Sequence, residues 1–140
     1  MKKSIFLPLL ILSVVFFSCK ETKKDDTPSQ MEQVMAIHDE VMPKMGTLSK
    51  LVGELKSKVD TTAVGKQCET AMKDLQAAHM SMMEWMGNFG NRFNSDEILN
   101  GKELSEQKQQ WLTEEEEKVK ALRDQINSSI ENAQSLLAKE

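Results

Sequence analysis

Tyrosine is absent from this chain, and only Phe89 and Phe93 remain of its phenylalanines beyond residue 17. No alternating β-branched run appears after residue 20, so neither an aromatic-rich sandwich nor a barrel has material to build from. The two cysteines, Cys19 and Cys68, are too few for a disulfide framework or a thiolate zinc cluster. There is no His-Glu-x-x-His pair, no Gly-x-Ser-x-Gly elbow and no Walker loop. Without a Cys-x-x-Cys-His string, covalent haem attachment is excluded on pattern. Basic excess is missing too: 18 Lys and Arg stand against 22 Asp and Glu. That balance excludes nucleic acid as an expected partner, since binding it calls for a basic face. With so thin a catalytic inventory, an enzyme is not expected.

What is present begins at the N-terminus. Lys2 and Lys3 precede an apolar run, Ile5 to Phe17, broken only by Pro8 and Ser13. Ser18 then stands directly before Cys19. A basic start, a short apolar stretch and a small residue at the end predict a secretory signal peptide over residues 1–18. The run is short for a membrane span. The cysteine at the cut resembles the lipobox of bacterial lipoproteins, which implies removal of residues 1–18 and acylation of Cys19. Losing Lys2 and Lys3 leaves 122 residues with a formal charge of −6. Anionic headgroups do not attract such a surface, so the hold on a membrane is assigned to the lipid. Cys68 then has no internal partner and reads as a buried, inert thiol.

Residues 19–28 carry Cys19 and a charged, proline-ended stretch with no apolar anchor, a flexible linker by composition. Residues 29–140 read as one all-α domain, an antiparallel three-helix bundle running up-down-up in coiled-coil-like fashion. Helices are expected over about 30–59, 62–87 and 102–138. Ser29 and Glu32 match a capping box at the first start. Met31, His38, Met45, Val52 and Val59 form one heptad track, with Val34, Val41, Leu48 and Leu55 on the other. The unbroken register favours one helix kinked at Pro43 over two separate ones. Asp60 to Thr62 turns the chain, and Gly65 reads as a weak point in the next helix. That helix carries Val64, Ala71, Ala78 and Trp85 beside Cys68, Leu75, Met82 and Phe89, and Gly87 to Asn91 predict its end. Ser95 is expected to cap a short turn with Ile98 and Leu99. The last helix carries Leu104, Trp111, Leu112, Val119, Leu122, Ile126, Ile130, Ala133, Leu136 and Leu137, with the Glu114 to Glu117 run mostly toward solvent.

The chemistry-bearing feature is a concentration of soft donors. Antiparallel pairing about the Asp60 turn sets residue 38 roughly opposite 84, and 42 opposite 80. His38, Met42, Met45, His79, Met82, Met83 and Met86 then occupy neighbouring layers of one bundle end, near Trp85 and Trp111. Thioether with imidazole suits Cu(I), or the axial positions of a haem. The competing readings are plain core, where methionine is a flexible filler, and a Met-rich groove for a partner helix or lipid chain.

Two strings are distinctive: Val34-Met35-Ala36-Ile37-His38-Asp39-Glu40-Val41-Met42-Pro43-Lys44-Met45 and Met82-Met83-Glu84-Trp85-Met86. With the Glu-Gln-Lys type C-terminal helix from Leu104 to Gln107 onward, they resemble a family of small lipoproteins from Bacteroidota-type bacteria. Members often carry the label "viral A-type inclusion protein". The resemblance spans most of the chain after residue 18 and implies a lipid-anchored envelope protein with no assigned activity. It also implies the outer membrane, because Lys20 rather than Asp follows the cysteine, with the facing leaflet open. The expected role is a non-enzymatic structural or interaction module, with self-association or a protein partner through its helix faces. Copper or haem binding is the alternative. The Met/His layers are expected in the membrane-proximal half, since the first helix starts about ten residues after Cys19.

Overall fold

Ser29 accepts a hydrogen bond from Glu32 N at 3.2 Å and donates its own backbone N–H to Glu32 Oε2 at 2.6 Å. The expected capping box therefore opens the first helix. A computed structural model describes residues 27–139 of the chain. The expected signal peptide, Cys19 and most of the linker lie outside the described residues. Among the described residues five helices follow in order: α1 Gln30–Val41, α2 Lys44–Lys56, α3 Ala63–Arg92, α4 Ser95–Leu99 and α5 Glu106–Leu137. The fold is an all-α helical bundle, with no strand among the described residues. No helix of the described residues is long and apolar enough to cross a membrane.

Three helices were expected where five stand, and Pro43 accounts for one of the additions. It has no N–H to give to Asp39, so the backbone ladder lapses between Val41 and Lys44. Met45 N bonds back to Met42 O at 3.2 Å, a tighter three-residue step. Met42 and Pro43 nevertheless keep right-handed helical angles, which is why the apolar register passes through the break. Split into two, and not one kinked helix, is the correct description. The second addition is α4, whose cap is Asn94 rather than Ser95. Asn94 Oδ1 accepts from Glu97 N at 3.1 Å, and Glu97 Oε2 accepts from Asn94 N at 2.9 Å.

Cross-chain bonds give the directions. Gln30 donates to Thr113 Oγ1 at 3.3 Å and Lys44 to Asn127 Oδ1 at 2.7 Å, a constant offset of 83 residues. So α1 and α2 run parallel to α5. The end of α3 meets the start of α5 through Arg92 and Glu114 at 2.7 Å, while Lys66 and Leu136 share a groove at the opposite end. So α3 runs against both, as expected. It packs on α5 and α2, whereas α1 packs chiefly on α5.

The core is a single seam. Leu48, Leu55, Leu75, Met82, Leu112 and Ile126 are among its largest fully buried side chains. Each is worth about 1.5–3 kcal/mol relative to exposure, and no single amphipathic helix here can collect that alone. Cys68 is free and buried in this seam, as read from sequence.

Several expectations fail for packing reasons. Val59 and Val64, placed on core tracks, are exposed, because the helices end or begin there and Leu51 and Gly65 face inward instead. Gly65 is not a weak point. A Cβ there would fall on the Asp60 carboxylate and lie 2.5 Å from Asp60 N, so only glycine admits this close approach. Asp60 Oδ1 in turn accepts from Thr62 N at 2.9 Å, and the Thr62 contacts hold its carboxyl below the usual range. The Gly87 to Asn91 stretch does not end α3, which continues to Arg92. Trp85, Phe89 and Phe93 form an aromatic ladder with centroids 4.9 and 4.8 Å apart, and that packing carries the helix through both glycines. Finally, Glu115 is fully buried although its run was assigned to solvent. The last helix starts at Glu106, with Ser105 as cap, later than the expected 102.

Candidate functional site

Six of the seven soft-donor residues named from sequence fall into three groups, and Met83 stands apart. Met45 and Met82 are core, at 8% and 0% exposure. Their thioethers fill the seam between Val41 and Leu48 on one side and Ala78 and Trp85 on the other. Met83 is exposed on the outer flank of α3.

His79 is half-buried and lies in a groove of about 500 Å³ between α2 and α3, with Leu48, Ser49, Val52, Leu75 and Met80. It is two helical turns from Met86, roughly 10 Å along the axis at 1.5 Å per residue. The expected single cluster is therefore divided. The offset arises because α1 leans on α5, while α2 takes the contact with α3.

The third group is a pair. His38 on α1 reaches α3, where its Nε2 stands 3.3 Å from Met86 Sδ. Its Nδ1 stands 2.9 Å from Asp39 Oδ1. The imidazole is tilted over Trp85, with ring centroids 6.0 Å apart. His38 keeps 18% side-chain exposure, so the pair is sheltered yet reachable from solvent. Met42, half-buried, follows His38 by one turn, and Met35 precedes it by one. Among the described residues no three of His, Cys, Asp and Glu gather as ligands. Any metal chemistry here thus depends on thioethers. A haem held by His and Met needs its two axial donors on opposite faces of the ring. His38 Nε2 and Met86 Sδ touch each other, which leaves no slot for a macrocycle between them.

On the other flank of the Trp85–Phe93 ladder is a polar constellation that sequence reasoning missed. Arg92 Nη1 lies 2.7 Å from Glu114 and 3.0 Å from Glu115, and Lys118 Nζ lies 2.9 Å from Glu115. The Arg92 guanidinium also sits 5.3 Å over the Trp111 ring. Glu115 Oε2 and the Trp85 indole N–H are both buried without a protein partner. They line one groove of about 450 Å³ with Ser81, Glu84 and Asn88. One is an acceptor and the other a donor. The signal was available in the spacing: 112, 115, 119 and 122 continue the a/d rhythm and put Glu115 on the core stripe.

A second ionic latch joins α4 to α5. Lys108 Nζ bonds Glu97 Oε1 and Oε2 at 2.8 and 2.7 Å. Those bonds, with the Asn94 N–H, hold the Glu97 carboxyl below the usual carboxylate range. Glu116 is lowered in the same way by Lys120 and by Gln30, whose side-chain amide donates at 2.6 Å. Comparison of the chain with models of known families, with curated proteins and with solved structures found no match.

Proposed function

We propose that this chain is a lipid-anchored protein of the cell envelope, with the outer membrane as its site, whose bundle is a non-enzymatic structural or interaction module. The observation that carries the anchoring is the N-terminal sequence, Lys2-Lys3, the apolar run to Phe17, and Ser18-Cys19. The resemblance to small Bacteroidota-type lipoproteins, through His38-Asp39-Glu40-Val41-Met42-Pro43 and Met82 to Met86, supports the same reading. The first helix begins eleven residues after Cys19, capped at Ser29, so a short charged linker separates lipid from bundle. In that arrangement the ends of α3 and α5 nearest Gln30 face the membrane, and the Asp60 turn faces away. The converging polar groups, Arg92 with Glu115 and Lys118, and Glu97 with Lys108, are paired with one another. Mutual pairing favours holding helices together over turning over a substrate.

Mass spectrometry of the chain expressed in a Gram-negative host tests this reading. The expected mature protein starts at an acylated Cys19 and sediments with membranes. Cys19→Ser should leave an unprocessed, unacylated chain. A wild-type chain that starts elsewhere or carries no acyl mass overturns the anchoring.

A further inference from the structure

His38 and Met86 meet through a ring nitrogen and a thioether sulfur. The Asp39 carboxylate only accepts hydrogen bonds, so the His38 Nδ1 beside it at 2.9 Å bears the hydrogen. In the neutral imidazole that leaves Nε2 with a bare lone pair. This lone pair faces Met86 Sδ at 3.3 Å, and a thioether has no hydrogen to donate. Two electron-pair donors in contact call for an acceptor placed against both, either a proton on the ring nitrogen or a soft cation.

The geometry points to a binding site for monovalent copper, held by His38 Nε2 and Met86 Sδ. Thioether and neutral imidazole are soft or borderline donors, and together they select Cu(I) over magnesium, calcium or manganese. With bonds of about 2.0 Å to nitrogen and 2.3 Å to sulfur, the observed 3.3 Å separation subtends about 100° at the metal. That angle suits a trigonal or tetrahedral ion and rules out a linear pair. Asp39 on the far nitrogen orients the ring, the carboxylate–histidine–metal relation seen at many metal sites. Met42 and Met35 are half-buried one turn to either side of His38 on α1, the nearest thioethers along that helix to complete the coordination. The Trp85 ring lies beside the His38 ring, with centroids 6.0 Å apart, close enough to report on an ion bound there. The inference stands on these contacts and does not depend on lipid anchoring.

The test is an anaerobic titration of the full-length chain in detergent with Cu(I), added as its acetonitrile complex, against a chromogenic Cu(I) chelator. One equivalent is expected to bind, quenching Trp85 emission in a Trp111→Phe background. Met86→Leu keeps the side-chain volume and the fold, and it should weaken Cu(I) binding by about tenfold or more, as should His38→Gln. His79→Ala, in the separate groove, should bind as wild type does. No bound Cu(I), or equal affinity in wild type, Met86→Leu and His38→Gln, overturns the site. So does a loss confined to His79→Ala.

Discussion

The two flanks of α3 near its C-terminus are built from opposite chemistry, although one aromatic ladder divides them. Toward α1 the contacts are soft and sparse: His38 against Met86 and Trp85, with half-buried methionines around them. Toward α5 they are hard and dense: Arg92 between Glu114 and Glu115, Lys118 on Glu115, and Lys108 on Glu97. The difference follows from who packs on whom. The α3–α5 contact runs the length of both helices, so a charge caught in it must be matched there. The α1–α3 contact is slight, because α1 rests on α5. A residue there can keep a lone pair and a path to solvent. Stability is thus concentrated on one flank and ligand chemistry on the other.

The sharpest way to break the division is to remove the partition itself. Phe89 is 4% exposed and stacks between Trp85 and Phe93. Phe89→Ala should cost about 3–5 kcal/mol. Denaturant midpoints of the two proteins at equal slope give the measurement. Next in size is an asymmetry within the ionic flank. Arg92→Met leaves the fully buried Glu115 with Lys118 alone and should destabilise by about 2 kcal/mol, below the usual loss for a broken buried pair because Arg92 is itself part-exposed. Glu115→Met removes the buried charge together with its unpartnered Oε2, and Arg92 keeps Glu114. That variant should be near neutral or more stable than wild type. Equal losses in both would mean that Glu115 is an asset rather than a managed liability.

How far these flanks were legible in the sequence differs in the same way. The heptad rhythm places Val34, Val41, Leu48, Leu55, Cys68, Leu75 and Met82 in the core, because burial at regular spacing is a local, repeated signal. The capping box at Ser29 is legible for the same reason. Glu115 is not, since a four-residue run of glutamates normally marks a solvated face and only its register says otherwise. The end of α3 is misread because Gly87 and Gly90 signal a stop that the Trp85–Phe89–Phe93 packing overrides. At the soft flank, linear spacing brings His38 near the Met82–Met86 stretch but merges it with His79. Only the lean of α1 onto α5 separates the two histidines into different grooves.

The ionic flank also carries a pH signature. Lys108 and the Asn94 N–H hold Glu97 below its ordinary value, so the folded state keeps this carboxylate charged at a pH where the unfolded chain protonates it. A lowered folded pKa contributes stability that is present above the unfolded value and fades as the pH falls through the folded one. Glu97→Gln should therefore be less stable than wild type at neutral pH. The gap should close below the usual glutamate range, as thermal midpoints across an acid series will show. A gap that stays constant with pH would assign the loss to the capping geometry at Asn94 rather than to the charge.

The smallest expected effect is the one that most sharpens the contrast. Met86 is half-buried, and among the described residues its polar contact is His38. Met86→Leu in the metal-free chain should change stability by less than about 1 kcal/mol, since the swap conserves volume. On the α5 flank, a substitution such as Arg92→Met is felt in folding. On this flank the same kind of change should be nearly silent in folding and visible only when Cu(I) is added. A large metal-free loss would make His38–Met86 a packing contact of the core. Near-silence with lost copper affinity would mark it as a position whose identity is set by what it binds, because cores tolerate leucine for methionine and soft metals do not.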